Sequence, residues 1–320
     1  MRALLIVNPN ATSTTAAARD LLAHALSSRV RLTVAQTTHR DHAAELAREA
    51  REDGVGLVIV HGGDGTVNEV INGLLGVPLP TSMRAVTIGA IPPLAVVPGG
   101  SANVFARSLG IPADPVAATN QLIDLLVTRS RRTIGLGHSD NRWFTFNAGL
   151  GLDADVCQAI DAGRKDGGPV SATRYLRAAV TAFFRNKRHP PKLTIEIPDH
   201  DPIVGVHYAF VSNSSPWTYL NERPVHTNPG TSFDSGLGLF AMSTTKVLPT
   251  LMLSRQLLLP GSDPKSRNLF RVDDVRSIRV TASEPIGLQM DGDFIGMRSE
   301  AEFFATPAAL EVVAPAPSVE

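Results

Sequence analysis

Two carboxylates next to glycine turns offer the clearest chemistry in this chain. The first is Asp64, in His61-Gly62-Gly63-Asp64-Gly65-Thr66, with Val67-Asn68-Glu69 behind it. The second is Asp293, in Gln289-Met290-Asp291-Gly292-Asp293. Glycines let a backbone turn sharply and approach a ligand with no Cβ in the way. A helix start adds unpaired N–H groups and the positive end of the dipole, which favour an anion. Asp64 repels phosphate, so beside such a site it makes sense as a general base or as a partner of Mg2+. Thr66 stands where a helix cap belongs, and its hydroxyl could also touch a phosphate. The Asp291-Gly292 pair, taken alone, is the strongest short cue for a type I′ hairpin turn.

The elements around these residues follow from periodicity. Leu57 to Val60 is short, apolar and β-branched, the mark of a buried strand. Val67, Val70, Ile71, Leu74 and Leu75 fall on one helix face. The order is therefore strand, glycine turn, helix. Ala3 to Val7 predicts a strand ending in the turn Asn8-Pro9-Asn10-Ala11-Thr12, with a helix over Thr14 to Ser27. Val30 to Ala35 predicts a second strand before Thr37, and His42 to Arg51 a helix. Val86 to Ile88 and Leu94 to Val97 read as a further strand. Pro98-Gly99-Gly100-Ser101-Ala102-Asn103 then repeats the glycine turn, with Ser101 as the cap of the next helix. Pro115 to Thr128 closes the series with another helix. Such alternation means a mostly parallel sheet that takes ligands at the carboxyl ends of its strands.

Near Arg131 the rhythm changes. Ser139-Asp140-Asn141-Arg142 and Pro198-Asp199-His200-Asp201-Pro202 sit between apolar runs as hairpin turns. Leu237 to Ser243 and Val275 to Ala282 add strands, so the second part reads as antiparallel β. Thr173 to His189 combines an apolar, aromatic face with basic neighbours, the pattern of a core helix or of one lying on an anionic membrane.

Composition excludes several classes. The 320 residues carry 30 basic and 30 acidic side chains, so no global charge argues for nucleic acid. One cysteine, Cys157, leaves no disulfide framework and no cysteine-based zinc cluster. The longest charge-free stretch, Ala85 to Ala106, contains Pro92, Pro93 and Pro98, so no spanning helix is expected there. His39, His42 and His61 share no metal-ligand spacing and read as surface or turn residues.

The motifs together resemble one family. G-G-D-G-T followed by x-N-E is similar to the phosphate-binding signature of the diacylglycerol kinase catalytic-domain family, which includes bacterial lipid kinases and sphingosine kinases. Asn8-Pro9, the segment Pro98, Gly100, Asn103 and Phe105, the run Gly149-Leu150-Gly151-Leu152-Asp153-Ala154, Asp234-Ser235-Gly236-Leu237 and Asp291-Gly292-Asp293 match further motifs in order. The resemblance implies an α/β plus all-β fold. An α/β ATP-binding domain would take residues 1–132, with 296–320 returning to it. An antiparallel β-sandwich lipid domain would take 133–295. ATP would lie across Asn8, Pro9, Asn10, Ala11 and Thr12, across Gly62, Gly63, Asp64, Gly65, Thr66, Val67, Asn68 and Glu69, and across Gly100, Ser101 and Asn103, with Thr37 near the adenine or ribose. Asp293 matches the general base assigned in bacterial members. Asp64 matches the role that the same aspartate has in sphingosine kinases and NAD kinases, and goes here to the metal. Asp153 would help to place the acceptor hydroxyl or simply cap a helix. Asp234, Ser235 and Leu237 match a loop that holds a structural Mg2+ in some bacterial members, although Ser235 and Gly238 replace acidic positions.

The implied activity is ATP- and Mg2+-dependent phosphorylation of a lipid primary hydroxyl, first of all that of diacylglycerol to give phosphatidic acid. The implied setting is cytoplasmic with peripheral membrane contact, and a homodimer is expected from the family. A kinase of a soluble acceptor such as NAD shares only the G-G-D-G core. A non-catalytic nucleotide-binding module would not need both Asp64 and Asp293.

Overall fold

The computed structural model describes residues 1–12, 16–78, 90–151, 154, 192–220, 222–259, 261 and 263–317. The chain forms two units. The first holds Met1–Leu136, Asn141–Trp143 and Pro307–Glu320, and the second Gly137–Asp140 and Phe144–Thr306. The second thus keeps the chain up to Thr306 and not to 295, because β16 stays paired with β15 from Asp293 as far as Phe304 in its last hairpin.

In the first unit, β1 (Arg2–Val7), α1 (Ala16–Ser27), β2 (Arg31–Gln36), α2 (His42–Glu52), β3 (Leu57–Gly62), α3 (Asp64–Leu75), β4 (Leu94–Pro98), α4 (Val104–Ser108) and α5 (Pro115–Thr128) follow in order. The strands lie as β4-β3-β1-β2, all parallel. β3 and β4 are buried at every position. That burial explains why both read as unbroken apolar runs and not as alternating ones. The register sets Val7 beside His61 and Gln36, and Gly62 beside Pro98. All four strands therefore end on one edge, and the turns at 8, 37, 63 and 99 leave the sheet together.

Glycine decides how closely the helices pack. A Cβ on Gly73 of α3 would stand 2.2 Å from the Ala44 carbonyl oxygen of α2. Arg51 donates to the Leu74 carbonyl at 2.8 Å, and the Trp143 indole donates to that of Gly76 at 2.8 Å. These bonds occupy carbonyls that the end of α3 leaves without helical partners.

Beyond α5, β5 (Arg132–Ser139) and β6 (Arg142–Phe144) form the first hairpin. The second unit continues with β7 (Asn147–Leu150), β8 (Leu193–Glu196), β9 (Ile203–Val206), β10 (Tyr208–Ser212), β11 (Thr218–Leu220), β12 (Arg223–Val225), β13 (Leu237–Met242), α6 (Val247–Leu257), β14 (Leu269–Val275), β15 (Ser277–Met290) and β16 (Asp293–Val312). Its strand pairs are antiparallel. β15 changes partner along its length: Arg279 to Ala282 pair with β8, and Leu288 to Met290 with β7. Between them the register shifts from Thr281 to Ile286, the kind of irregularity that bends a strand. Side chains from both halves, among them Ile195, Val211, Leu239, Val280 and Phe303, meet in one apolar core. That is the layering of a sandwich.

Period-two alternation assigns each face. Ala209 and Val211 of β10, with Leu237, Leu239 and Ala241 of β13, enter that core. Tyr208, Phe210, Phe240 and Met242 point the other way and pack with Leu253 of α6. The end of β16 belongs to the first unit. Val312 pairs parallel with Leu94, Val313 N–H donates to the Leu94 carbonyl at 2.8 Å, and Ser130 Oγ donates to that of Ala314 at 3.2 Å.

Candidate functional site

The two glycine turns of the first unit pack backbone against backbone. Gly99 N–H donates to the Gly62 carbonyl at 2.8 Å. A Cβ on Gly100 would lie 2.7 Å from Gly63 Cα, and one on Gly99 would lie 3.0 Å from Gly62 Cα. No side chain fits between them. Gly65, by contrast, is exposed, and a Cβ there would meet nothing within 4 Å. The start of α3 thus faces open space beside two interlocked turns, a geometry suited to an anion.

The turn after β1 is tied to this pair. Asn8 Nδ2 donates to Thr66 Oγ1 at 2.9 Å, and Asn10 N–H donates to Asn8 Oδ1 at 2.9 Å. Pro9, Asn10 and Thr12 are exposed at its rim, with Ala11 partly covered. Thr37 follows β2, is buried, and donates its N–H to the Val7 carbonyl at 2.9 Å. Behind the turns, His61 is 1% exposed with Nδ1 3.1 Å from the Val97 carbonyl oxygen, and burial pulls its pKa down.

Four side chains do work that the sequence did not announce. Asp64 accepts from Val104 N–H and Phe105 N–H, both at 3.0 Å, and so caps α4. Ser101, expected to be that cap, is exposed, and Asn103 at φ 49° precedes the helix. Asn103 closes its own loop through reciprocal bonds with Gly100 at 2.8 and 2.9 Å. Thr66 is not a cap either: α3 begins at Asp64, with Gly63 before it. Asn68 and Glu69 were expected at the nucleotide. Asn68 is buried and donates to the Trp143 carbonyl at 2.9 Å while accepting from Arg142 at 2.9 Å. Glu69 accepts from Ala43 N–H at 3.3 Å at the start of α2. Val67 is a core residue, 2% exposed. One turn of α3 therefore holds α4, β6 and α2 in place.

In the second unit, Asp291 and Gly292 have φ of 50° and 85°, the positive values of a type I′ turn, and Met290 pairs with Asp293 across it. Asp293 is half-buried at the start of β16. Asp291 directly follows the buried end of β15 and does more than form the hairpin turn that its sequence announces. Its carboxylate accepts from Thr145 N–H at 2.7 Å, Thr145 Oγ1 at 2.8 Å, Phe146 N–H at 3.0 Å and Asn147 N–H at 3.2 Å. Burial pushes its pKa up, and these donors act against that. Gln289 joins Asn147 at 2.7 Å and accepts from Gly292 N–H at 2.8 Å, which fixes the turn that carries Asp293.

The loop expected to hold a structural Mg2+ carries one carboxylate, that of Asp234. Asp234 is exposed. Ser235 Oγ is used by its own loop, accepting from Ser232 N–H at 2.9 Å and lying 3.0 Å from both the Ser232 and Gly236 carbonyl oxygens. A Cβ on Gly238 would stand 2.2 Å from Thr231 Oγ1, so no acidic side chain has room there. Asp273 instead accepts from Asn228 at 2.9 Å and Thr231 at 2.6 Å. Leu237 is a fully buried core residue. Contrary to the spacing argument, His39 and His42 do come together with Glu45. Among the described residues these are the three His, Cys, Asp or Glu side chains whose ligand atoms converge within 4.8 Å. Their rings stack at 4.6 Å, but Thr38 N–H donates to His42 Nδ1 at 3.1 Å, which commits one nitrogen to the turn. Asp153 and the basic stretch from Thr173 to His189 lie outside the described residues.

A parallel sheet whose carboxyl edge carries two interlocked glycine turns, joined in sequence to an antiparallel β unit, defines an α/β plus all-β protein. Residues 2–134 match the model of the diacylglycerol kinase catalytic domain. The chain is 35% identical over 150 residues, 46% of its length, to a protein of Chromohalobacter salexigens named "Probable lipid kinase YegS-like". It is 36% identical over 115 residues, 36% of its length, to the diacylglycerol kinase of Bacillus subtilis. These matches span 44% and 33% of the two relatives' own lengths. The fold is shared with a diacylglycerol kinase crystal structure from Bacillus anthracis, with a TM-score of 0.72, 20% identity, and 100% and 98% of the two chains covered.

Proposed function

We propose that the chain is an ATP-dependent lipid kinase that phosphorylates a primary hydroxyl, with diacylglycerol as the first acceptor to test. The observation that carries this reading is the mutual packing of Gly62-Gly63 with Gly99-Gly100 beside the open start of α3. Backbone N–H groups there would cradle the β- and γ-phosphates, Gly65 and Ser101 would line the seat, and Asn8 with Thr66 would fix the neighbouring turn. Thr37, at the end of the adjacent strand, would border the nucleoside. Mg2+, when bound with ATP, would neutralise phosphate charge. Asp64 fits its shell, since a carboxylate that accepts two N–H bonds retains lone pairs for a hard cation or its waters. Asp293 would take the acceptor hydroxyl proton, held by a turn that Gln289 and Asp291 make rigid.

The test is transfer of labelled γ-phosphate from ATP with Mg2+ to diacylglycerol in mixed micelles, beside ceramide, a long-chain base, NAD and a sugar phosphate. Label in a lipid phosphate, lost in Asp293→Asn, is the expected result and names the lipid. Label only in a soluble acceptor would overturn the lipid reading. ATP binding without transfer to anything would leave a nucleotide-binding module.

A further inference from the structure

α6 carries the largest group of exposed apolar side chains on any described element. Leu253 and Leu257 face inward, where they pack with Phe210, Phe240 and Trp217 on the outer face of β10 and β13. On the other side Val247, Leu248, Leu251 and Met252 are 43, 62, 64 and 57% exposed, and Leu258 and Leu259 continue the face at 51 and 53%. At about 100° per residue the four helical positions among them fall within an arc of roughly 140°. Arg255 lies inside that arc and Lys246 precedes it, both exposed, and the helix has no acidic residue. Just beyond it, Lys265 and Arg267 are exposed, and Asp263, the acidic residue of this stretch, is already paired with Lys265 and Arg271.

We propose that this face of α6 is a docking surface for an anionic lipid bilayer. It deepens the lipid-kinase reading and rests on it for its purpose, but not for its test. The helix has 11 residues, too few to cross a bilayer, so it would lie in the interface plane. There the leucines and Met252 enter the acyl boundary while Lys246 and Arg255 reach lipid phosphates. Charge selects the occupant. A second copy of the chain stacked on this face would bring Lys246 and Arg255 against the same basic residues, whereas an anionic surface neutralises them. Aromatic packing beneath the helix keeps it seated when the outer face leaves water.

The full chain should cosediment with vesicles of phosphatidylglycerol and phosphatidylcholine in equal parts, and far less with phosphatidylcholine alone. Replacing Leu248, Leu251 and Met252 together by Ser should lower the partition coefficient by at least about tenfold. Lys246→Glu with Arg255→Glu should abolish the preference for the anionic vesicles. All these side chains are exposed, so the melting temperature should hold. As an independent readout, Leu251→Trp fluorescence should shift to the blue on vesicle addition. Transfer of phosphate to a short-chain, micelle-dispersed acceptor should stay unchanged in the triple variant, which separates failure of docking from failure of the kinase reading. Unchanged vesicle binding in both variants would overturn the proposal. So would a dimer lost in the triple variant with vesicle binding intact.

Discussion

Asp64 and Asp293 are the same side chain in different surroundings. Asp64 spends two hydrogen bonds on the start of α4, so its loss should show in stability as well as in activity. Asp64→Ala should cost about 1–2 kcal/mol of unfolding free energy, as other lost helix caps do, and should weaken ATP binding. Asp293→Asn should leave both nearly unchanged and lower kcat. Chemical unfolding and ATP titration of the two variants check this, and equal stability losses would remove the distinction. His61 gives the pH dependence. Burial lowers its pKa from 6.5, so the folded protein favours the neutral ring. Its contribution is fully present above the ordinary value and is lost as pH falls through the lower folded one, where the unfolded chain binds the extra proton. Unfolding free energy measured at falling pH should therefore drop, and His61→Asn, which can keep a donor toward the Val97 carbonyl, should flatten part of that slope. His207, also lowered by burial, supplies a further part.

At the scale of elements, the decisive fact is how near two turns can come. Gly100→Ala would place a methyl 2.7 Å from Gly63 Cα and must part the turns. We expect a loss of about 1–3 kcal/mol and a far larger fractional loss of ATP affinity. Gly65→Ala is the control. Its methyl meets open space in the first turn of α3, so the unliganded protein should be as stable or slightly more so. ATP affinity should still fall, because the space a methyl would fill is the space offered to phosphate. Calorimetric titration with parallel thermal unfolding tells these apart. If Gly65→Ala bound ATP as well as the parent, the seat would lie elsewhere.

At the scale of the molecule, the first unit is completed by residues far away in sequence. Val312 and Val313 add to β4, Arg131 pairs with Glu311 at 2.6 Å, and Leu310, Val312, Val313 and Ala314 are buried. A chain ended after Thr306 should destabilise the first unit by at least about 3 kcal/mol through lost apolar burial. Hydrogen exchange at β3 and β4 would report it. Unchanged protection there would mean that the returning strand is dispensable.

Local physics made much of this legible in the sequence. The runs at Leu57 and Leu94 could only be buried strands, Gly62-Gly63 and Gly99-Gly100 could only be sharp turns, and Asp291-Gly292 is the hairpin its dipeptide announces, because each of these depends on neighbours within a few residues. Tertiary structure decided the rest. That Asp64 caps α4, that Glu69 and Asn68 tie α2 and β6 to α3, and that Gly238 has no room for an acid all depend on partners 26 to 75 residues away or across a strand. α6 gave no helical period because it is apolar on both sides. One side is matched to aromatic residues that only the sandwich brings beneath it, and the other is left facing outward. A pattern of residue types records which surfaces must avoid water. Which carboxylate meets which N–H is fixed only when the strands have taken their register.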